Sequence, residues 1–274
     1  MGRGSIGIFD SGVGGLSVWR EIARQAPHED TIYLADQAHV PYGSRSLDEV
    51  RGFSEAITRY LLDQGAKIIV VACNTASAAA LHPLRRTFPA VRFVGMEPAV
   101  KPAVERTNKG IVAVIATEAT FQGELFASLL ERYANDVDVL TQVCPGLVKA
   151  VEAGALEASQ TDALLRECLT PLVGAEVDQL VLGCTHYPFL RPAIERVVGE
   201  SVSVIDPAPA VARQTRSVLA HEEAEASRNC VGRHLFLTTG DSTAFNRTVE
   251  RLLPNAQAVW RVKNVHWQGP SLEA

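Results

Sequence analysis

No apolar run in this sequence approaches the ~18 residues that a membrane-crossing helix needs. Positive charge is also in short supply: 26 Lys and Arg stand against 31 Asp and Glu, a net charge of -5. That balance argues against nonspecific binding to nucleic acid or an anionic membrane, which needs a basic face. Nor do any of the five cysteines (73, 144, 168, 184 and 230) form a C-x-x-C pair. Their odd count speaks against a disulfide framework and suits a reducing cytoplasm. Zinc chemistry is equally poorly served. Cys184-Thr185-His186 offers two ligands, and no second pair lies at finger spacing, so no metal is expected. The opening Met1-Gly-Arg-Gly-Ser5 has no apolar h-region, and no secretory leader is expected from it. What is present is ordinary globular composition, 47% hydrophobic and 21% charged. The length of 274 residues suits two domains of common size or one large α/β domain.

Short apolar strands alternate with amphipathic helices along the chain. Strand-like runs fall at Ser5–Phe9, Thr31–Ala35, Lys67–Cys73 and Val91–Gly95, with helices at Leu16–Gln25, Leu47–Gln64 and Ala76–Thr87 between them. The series restarts at Lys109-Gly110. Strands are expected at Gly110–Ala116, Asp138–Thr141 and Gln179–Leu182, and helices at Thr120–Tyr133, Leu147–Ala153 and Gln160–Val173. A helix at Ala210–His221, a polar loop at Glu222–Arg228, a strand at His234–Thr238 and a helical piece at Ala244–Leu253 complete the pattern. Apolar runs of four to six residues bounded by turn residues suit strands buried on both faces, as in parallel sheets covered by helices. The fold class is α/β and doubly wound, and the restart reads as a duplication with the active site in the cleft between two domains. Proline-rich crossings near Pro98 and Pro207–Pro209 divide the chain into 1–98 plus 208–274, the returning tail, and 99–207.

Cys73 and Cys184 share one local setting. An apolar run ends at each thiol, and hydroxyl and amide or imidazole groups follow at once: Cys73-Asn-Thr-Ala-Ser77 and Cys184-Thr-His-Tyr-Pro188. Burial is the common fate of a strand-end cysteine. Here, however, polar groups stand where packing would want apolar ones. Residues just past a parallel strand face the ligand crevice, and the next helix supplies N–H groups and a positive dipole end. A thiol at its ordinary value of about 8.5 is only about 3% thiolate at pH 7, so a nearby base would help. Asp10 in the first half and His186 in the second are the candidates. Cys144, Cys168 and Cys230 lack this setting and read as structural.

The loop Asp10-Ser-Gly-Val-Gly-Gly-Leu-Ser17 is no phosphate loop. Position 17 is not the third glycine of G-x-G-x-x-G, and G-K-[ST] is absent. Its glycines suit backbone N–H groups approaching a small anion such as a carboxylate. Pro41-Tyr42-Gly43 reads as a turn or as a lid on the site.

Taken together, Phe9–Ser17, Val40-Pro-Tyr-Gly43, Ala72-Cys-Asn-Thr-Ala-Ser77, Glu97-Pro-Ala99 and Leu182-Gly-Cys-Thr-His-Tyr-Pro188 resemble the glutamate racemase family of the aspartate/glutamate racemase superfamily. The five motifs occur in the family's order between about Ile6 and Asp206. The loop departs from the pattern at Ala35, Gln37 and His39, where the family usually has Gly, Thr and Arg, while Asp36 matches. The resemblance implies a cytoplasmic, cofactor-independent isomerase that supplies D-glutamate for peptidoglycan. Two thiols would flank the substrate α-carbon, one removing a proton and the other delivering one. It implies Cys73 and Cys184 as the acid/base pair, Asp10 assisting Cys73, and His186, oriented by Glu152, assisting Cys184. Asp10, Ser11, Tyr42, Gly43, Asn74, Thr75, Thr117, Thr185 and His186 would hold the amino acid. Family members are often dimers, so a homodimer is among the expectations, with glutamate as the small-molecule partner. Aspartate racemisation, or amino-acid binding without catalysis, are the competing readings.

Overall fold

Apolar stretches such as Ile6–Phe9 and Ile68–Val71 have no exposed face to offer, and a sheet covered on both sides is where they bury. The computed structural model describes residues 4–256 and 258–273. The leader expectation at Met1–Ser5 therefore falls largely outside the described residues. The chain runs β1 (Ser5–Asp10), α1 (Leu16–Gln25), β2 (Thr31–Ala35), α2 (Leu47–Asp63), β3 (Ala66–Val71), α3 (Asn74–Thr87), β4 (Phe93–Val94) and α4 (Val100–Arg106). Then come β5 (Ile111–Ala116), α5 (Glu118–Gln122), α6 (Glu124–Tyr133), β6 (Asp138–Val143), α7 (Leu147–Glu152), α8 (Ser159–Gly174), β7 (Gln179–Gly183), α9 (Arg191–Val198) and β8 (Ser203–Ile205). The last part is α10 (Ala208–His221), β9 (His234–Thr238), α11 (Ser242–Leu252), β10 (Trp260–Asn264) and a hairpin of β11 (His266–Gln268) and β12 (Ser271–Glu273).

Two parallel sheets result. The first has the order β10-β9-β2-β1-β3-β4, and the second β6-β5-β7-β8. The segment β2-β1-β3-β4 and the whole second sheet have the same connectivity, the repeat that the restart at Lys109 implies. In both, the chain reverses direction across the sheet between the first and third strands of the unit, β1 and β3 or β5 and β7. Such a switch point leaves a crevice at the carboxyl ends of its two strands.

Some elements differ from expectation for local reasons. The helix expected over Thr120–Tyr133 is broken at Gly123, whose backbone is extended (φ -73°, ψ 140°). A side chain there would press on Ala78 of α3, at 2.6 Å from its Cβ, so the break lets the two helices close up. Lys67–Cys73 ends as a strand at Val71, and Cys73 is the N-cap of α3, its sulfur accepting from the Ala76 N–H at 3.4 Å. The expectation of unpaired cysteines is corrected. Cys144, just after β6, and Cys168, in α8, form a disulfide with Cα atoms 5.5 Å apart. An odd count leaves room for one pair, and the packing of α8 on β6 that joins these two is not visible in their spacing. Among the described residues no helix is long and apolar enough to cross a membrane.

Candidate active site

The switch points of the two sheets face each other across one cavity. From the first come Ser11 after β1, Cys73, Asn74 and Thr75 after β3, and Tyr42 and Gly43 from the turn after β2. From the second come Thr117 after β5 and Cys184, Thr185 and His186 after β7. Both thiols are free and buried. The cavity encloses about 280 Å³ including its mouth, but its interior is narrow, leaving about 10 Å³ that the centre of a water-sized sphere can reach. That is room for about one water molecule, so an amino acid needs the cleft to widen. Both polar atoms of the Asn74 side chain are buried without a partner. An orphaned buried amide costs about 1–3 kcal/mol, which a ligand supplying both a donor and an acceptor would offset.

The thiols have different neighbours. Cys184 Sγ lies 3.7 Å from Nδ1 of His186, whose Nε2 lies 2.7 Å from Oε1 of Glu152 at the end of α7. Burial works against a charged imidazole here. Hydrogen bonds and charge from Cys184 and Glu152 outweigh it and hold the His186 proton well above the usual histidine range. Glu152 is itself held by the Val13 N–H at 2.8 Å and the Gln37 side-chain amide at 3.0 Å. Burial raises its pKa, but the His186, Val13 and Gln37 contacts prevail and the carboxyl titrates below its ordinary value.

Cys73 has no such imidazole. Burial and then the Asp10 charge push its thiol up, against hydrogen bonds from the Ala76 and Ser11 backbone. Asp10 lies beneath the cavity at the end of β1. Its carboxylate accepts from the Gly12 N–H at 2.8 Å, from Thr185 Oγ1 at 3.0 Å and, weakly, from Ser11 Oγ at 3.4 Å. Burial, opposed by the His186 charge and these donors, raises Asp10 to about 6. None of these hydrogen bonds runs to Cys73, so the two groups are linked by charge.

The glycines of the Asp10 loop do receive a carboxylate, but it is the protein's own. A Cβ on Gly12 would overlap the Glu152 carboxylate, and one on Gly14 would overlap the His186 ring. This corrects the reading of the loop as a cradle for a small free anion. Ser17 Oγ adds a bond to the Thr185 carbonyl at 2.9 Å, so the loop is tied at three points to Glu152 of α7 and to Thr185 just after β7.

Sequence reasoning missed Thr120. Its buried hydroxyl closes a triangle with Thr75 and Thr117, at 3.3 and 2.9 Å. Its position three residues after Thr117, at a helix start, was the available signal. Tyr42 is expected to hold the amino acid, and its hydroxyl is engaged elsewhere: it donates to Asp36 Oδ2 at 2.7 Å. Burial and the Asp36 charge keep that phenol protonated. What Tyr42 and Gly43 offer a ligand is backbone N–H at the start of a 3-10 turn, where the first amides have no partner within the turn.

The Asp/Glu/hydantoin racemase family model matches residues 6–215. A glutamate racemase of Roseiflexus sp. (strain RS-1) is 49% identical over 248 residues, 90% of this chain and 91% of that one. Among solved structures, glutamate racemase isoform RacE1 of Bacillus anthracis superposes with a TM-score of 0.85 at 33% identity, covering 98% of both chains. Escherichia coli glutamate racemase, in complex with L-glutamate and the activator UDP-MurNAc-ala, gives 0.83 at 31%, over 98% of this chain and all of the other. In sequence and fold alike, the chain belongs to the Asp/Glu/hydantoin racemase family.

Proposed function

We propose that this chain interconverts L- and D-glutamate by moving a proton between the two faces of Cα. The observation that carries this reading is the pair of free, buried thiols at equivalent strand ends lining one cavity. One sulfur, as thiolate, takes the α-proton; the C–H electron pair passes into the substrate carboxylate as an enediolate. The other sulfur, as thiol, returns a proton to the opposite face. Each proton transfer of this kind contributes about 10²–10⁴-fold. Positioning and hydrogen bonds to the enediolate supply the rest. Asn74, Thr75, Thr117, Thr185, Ser11 and the Tyr42–Gly43 backbone hold the ammonium and carboxylate groups. Asp10 serves Cys73, and His186 with Glu152 serves Cys184. Both transfers use the chain's own side chains, so the reading needs no cofactor.

In this reading the chain crosses between domains near Pro98 and Pro207, giving 1–98 plus 208–274 and 99–207. The relatives' activity supports a cytoplasmic role in supplying D-glutamate for peptidoglycan. A homodimer rests on the resemblance alone.

Solvent exchange tests the reading. In D₂O, L-glutamate should lose optical rotation and gain α-deuterium together. Exchange with aspartate alone would transfer the chain to that substrate, and binding without exchange would make it a carrier.

Asp10 gives a pH test. Since burial raises it to about 6, it is protonated below that pH and is no base for the Cys73 proton, which has to reach it through substrate or solvent because no hydrogen bond joins the two. We therefore expect kcat/KM to fall as pH drops through about 6. In Asp10→Asn that acid limb should vanish and leave a low, flat profile. An unchanged limb would detach Asp10 from the reaction.

A further inference from the structure

Asp36 is fully buried, and among the described residues no Lys or Arg side chain pairs with its carboxylate, whose neighbour is the imidazole of His39. Four donors converge on it instead, two on each oxygen. Oδ2 accepts from Tyr42 OH at 2.7 Å and from His39 Nδ1 at 2.8 Å. Oδ1 accepts from Thr239 Oγ1 at 2.9 Å and from the indole Nε1 of Trp267 at 2.7 Å. The first pair belongs to the segment that leads into the cavity wall. The second belongs to the C-terminal part of the chain, more than two hundred residues away in sequence. The carboxylate is thus the junction between the β11–β12 hairpin and the wall of the cavity.

We infer that Asp36 and Trp267 form a latch by which the C-terminal hairpin sets the position of the Tyr42–Gly43 wall, and so the fit of the amino acid. The inference rests on the proposed racemase reading only for the identity of that ligand. The segment is pinned at its start, where the Asp36 N–H donates to the Asp10 carbonyl at 3.0 Å. It is pinned at its far end by the Tyr42 hydroxyl. Between the pins, His39 stacks on Phe53 of α2 (ring centroids 3.9 Å apart, planes at 11°). Trp267 stands edge-on to both rings, at 5.0 and 5.6 Å. Beyond Tyr42, Gly43 lies so close to Thr117 of the second sheet that a Cβ would sit 2.6 Å from the threonine Cβ. A wall in such close contact has little freedom to shift without changing the cavity.

A carboxylate has about four acceptor sites, and here all are filled. Removing one donor leaves a buried oxygen under-served, and the remaining partners rearrange to compensate. Asp36 and Trp267 touch no reacting atom. They are positioning residues, and their effect belongs in substrate binding rather than in the proton transfers.

The test is Trp267→Phe, which keeps an aromatic ring and deletes only the Nε1–H donor. For glutamate in both directions we expect KM to rise about tenfold, the effect of one lost charge-assisted hydrogen bond. The turnover number should stay within about twofold. Amide hydrogen exchange, read by mass spectrometry on the intact chain, should accelerate across residues 36–45 and not in β1 or β3. Asp36→Asn, which cannot accept from both Tyr42 and His39 on its NH₂ side, should show the same pattern more strongly. Unchanged KM with unchanged exchange over residues 36–45 would overturn the latch. So would faster exchange spread evenly through the core strands, which would mark Trp267 as a general stabiliser. The exchange arm judges the latch even if wild-type protein fails to deuterate glutamate at Cα, the result that would remove the racemase reading instead.

Discussion

Cys73→Ser and Cys184→Ser are each expected to lower racemisation by at least about 10³-fold, because a serine hydroxyl is far too weak an acid to stand in for a thiol. The two variants should not be inert in the same way. Each retains one sulfur on one face of the substrate, and that sulfur can still lift a proton from the enantiomer that presents its hydrogen to it. The thiol so formed exchanges with solvent, and a solvent-derived hydron returns to the same face. In D₂O, each variant should therefore label one enantiomer at Cα without inverting it, and the two variants should label opposite enantiomers. Mass spectrometry with chiral separation reads both quantities at once. If either variant racemises at the wild-type rate, the assignment of one thiol to each face is wrong. The buried hydroxyl should cost little stability, since serine is smaller than cysteine and both sites adjoin polar groups.

Gly12→Ala should be nearly as damaging, although Gly12 takes no part in proton transfer. Its added methyl would occupy the space of the Glu152 carboxylate, which holds the His186 Nε2. Overpacking of this kind costs typically ~1–3 kcal/mol of stability. The larger effect is on turnover. Displacing Glu152 releases the imidazole beside Cys184, and a misplacement of about 1 Å can cost about 10²-fold. We expect a fall in kcat of that order with a modest loss in Tm. The combination Gly12→Ala with Glu152→Gln should be hardly worse than Gly12→Ala alone, because both act through one carboxylate. Multiplicative losses would show that Gly12 matters for some other reason.

How much of this was legible in the sequence depends on how far each contact reaches. The two thiols announced themselves locally: an apolar run, a cysteine, then polar side chains. Parallel-sheet geometry did the rest by placing strand ends at a crevice. The repeated strand order could be anticipated because its signal, the alternation of short strands and helices, is also local. Glu152 is different. It meets Val13 across 139 residues and His186 across 34, and no periodicity connects them. Only the family resemblance points to it, and from sequence alone the glycines that accommodate it read as a cradle for a free anion. The Asp36 latch was beyond reach for the same reason, since Trp267 lies 231 residues downstream. Likewise, nothing in the spacing of Cys144 and Cys168 tells that α8 folds back beside the end of β6. Helix breaks could be placed only to within a turn, as at Gly123, where the close approach of α3 decided the matter.

The unequal helpers of the two thiols cannot make the chain prefer one hand of glutamate. L- and D-glutamate are mirror images with identical free energies in water, so their equilibrium constant is one. The Haldane relation then requires equal kcat/KM in the two directions at every pH, whatever Asp10 and His186 contribute. Any asymmetry between an aspartate-served and an imidazole-served sulfur can surface only as matched changes of kcat and KM. One enantiomer then saturates the site at lower concentration and turns over more slowly by the same factor.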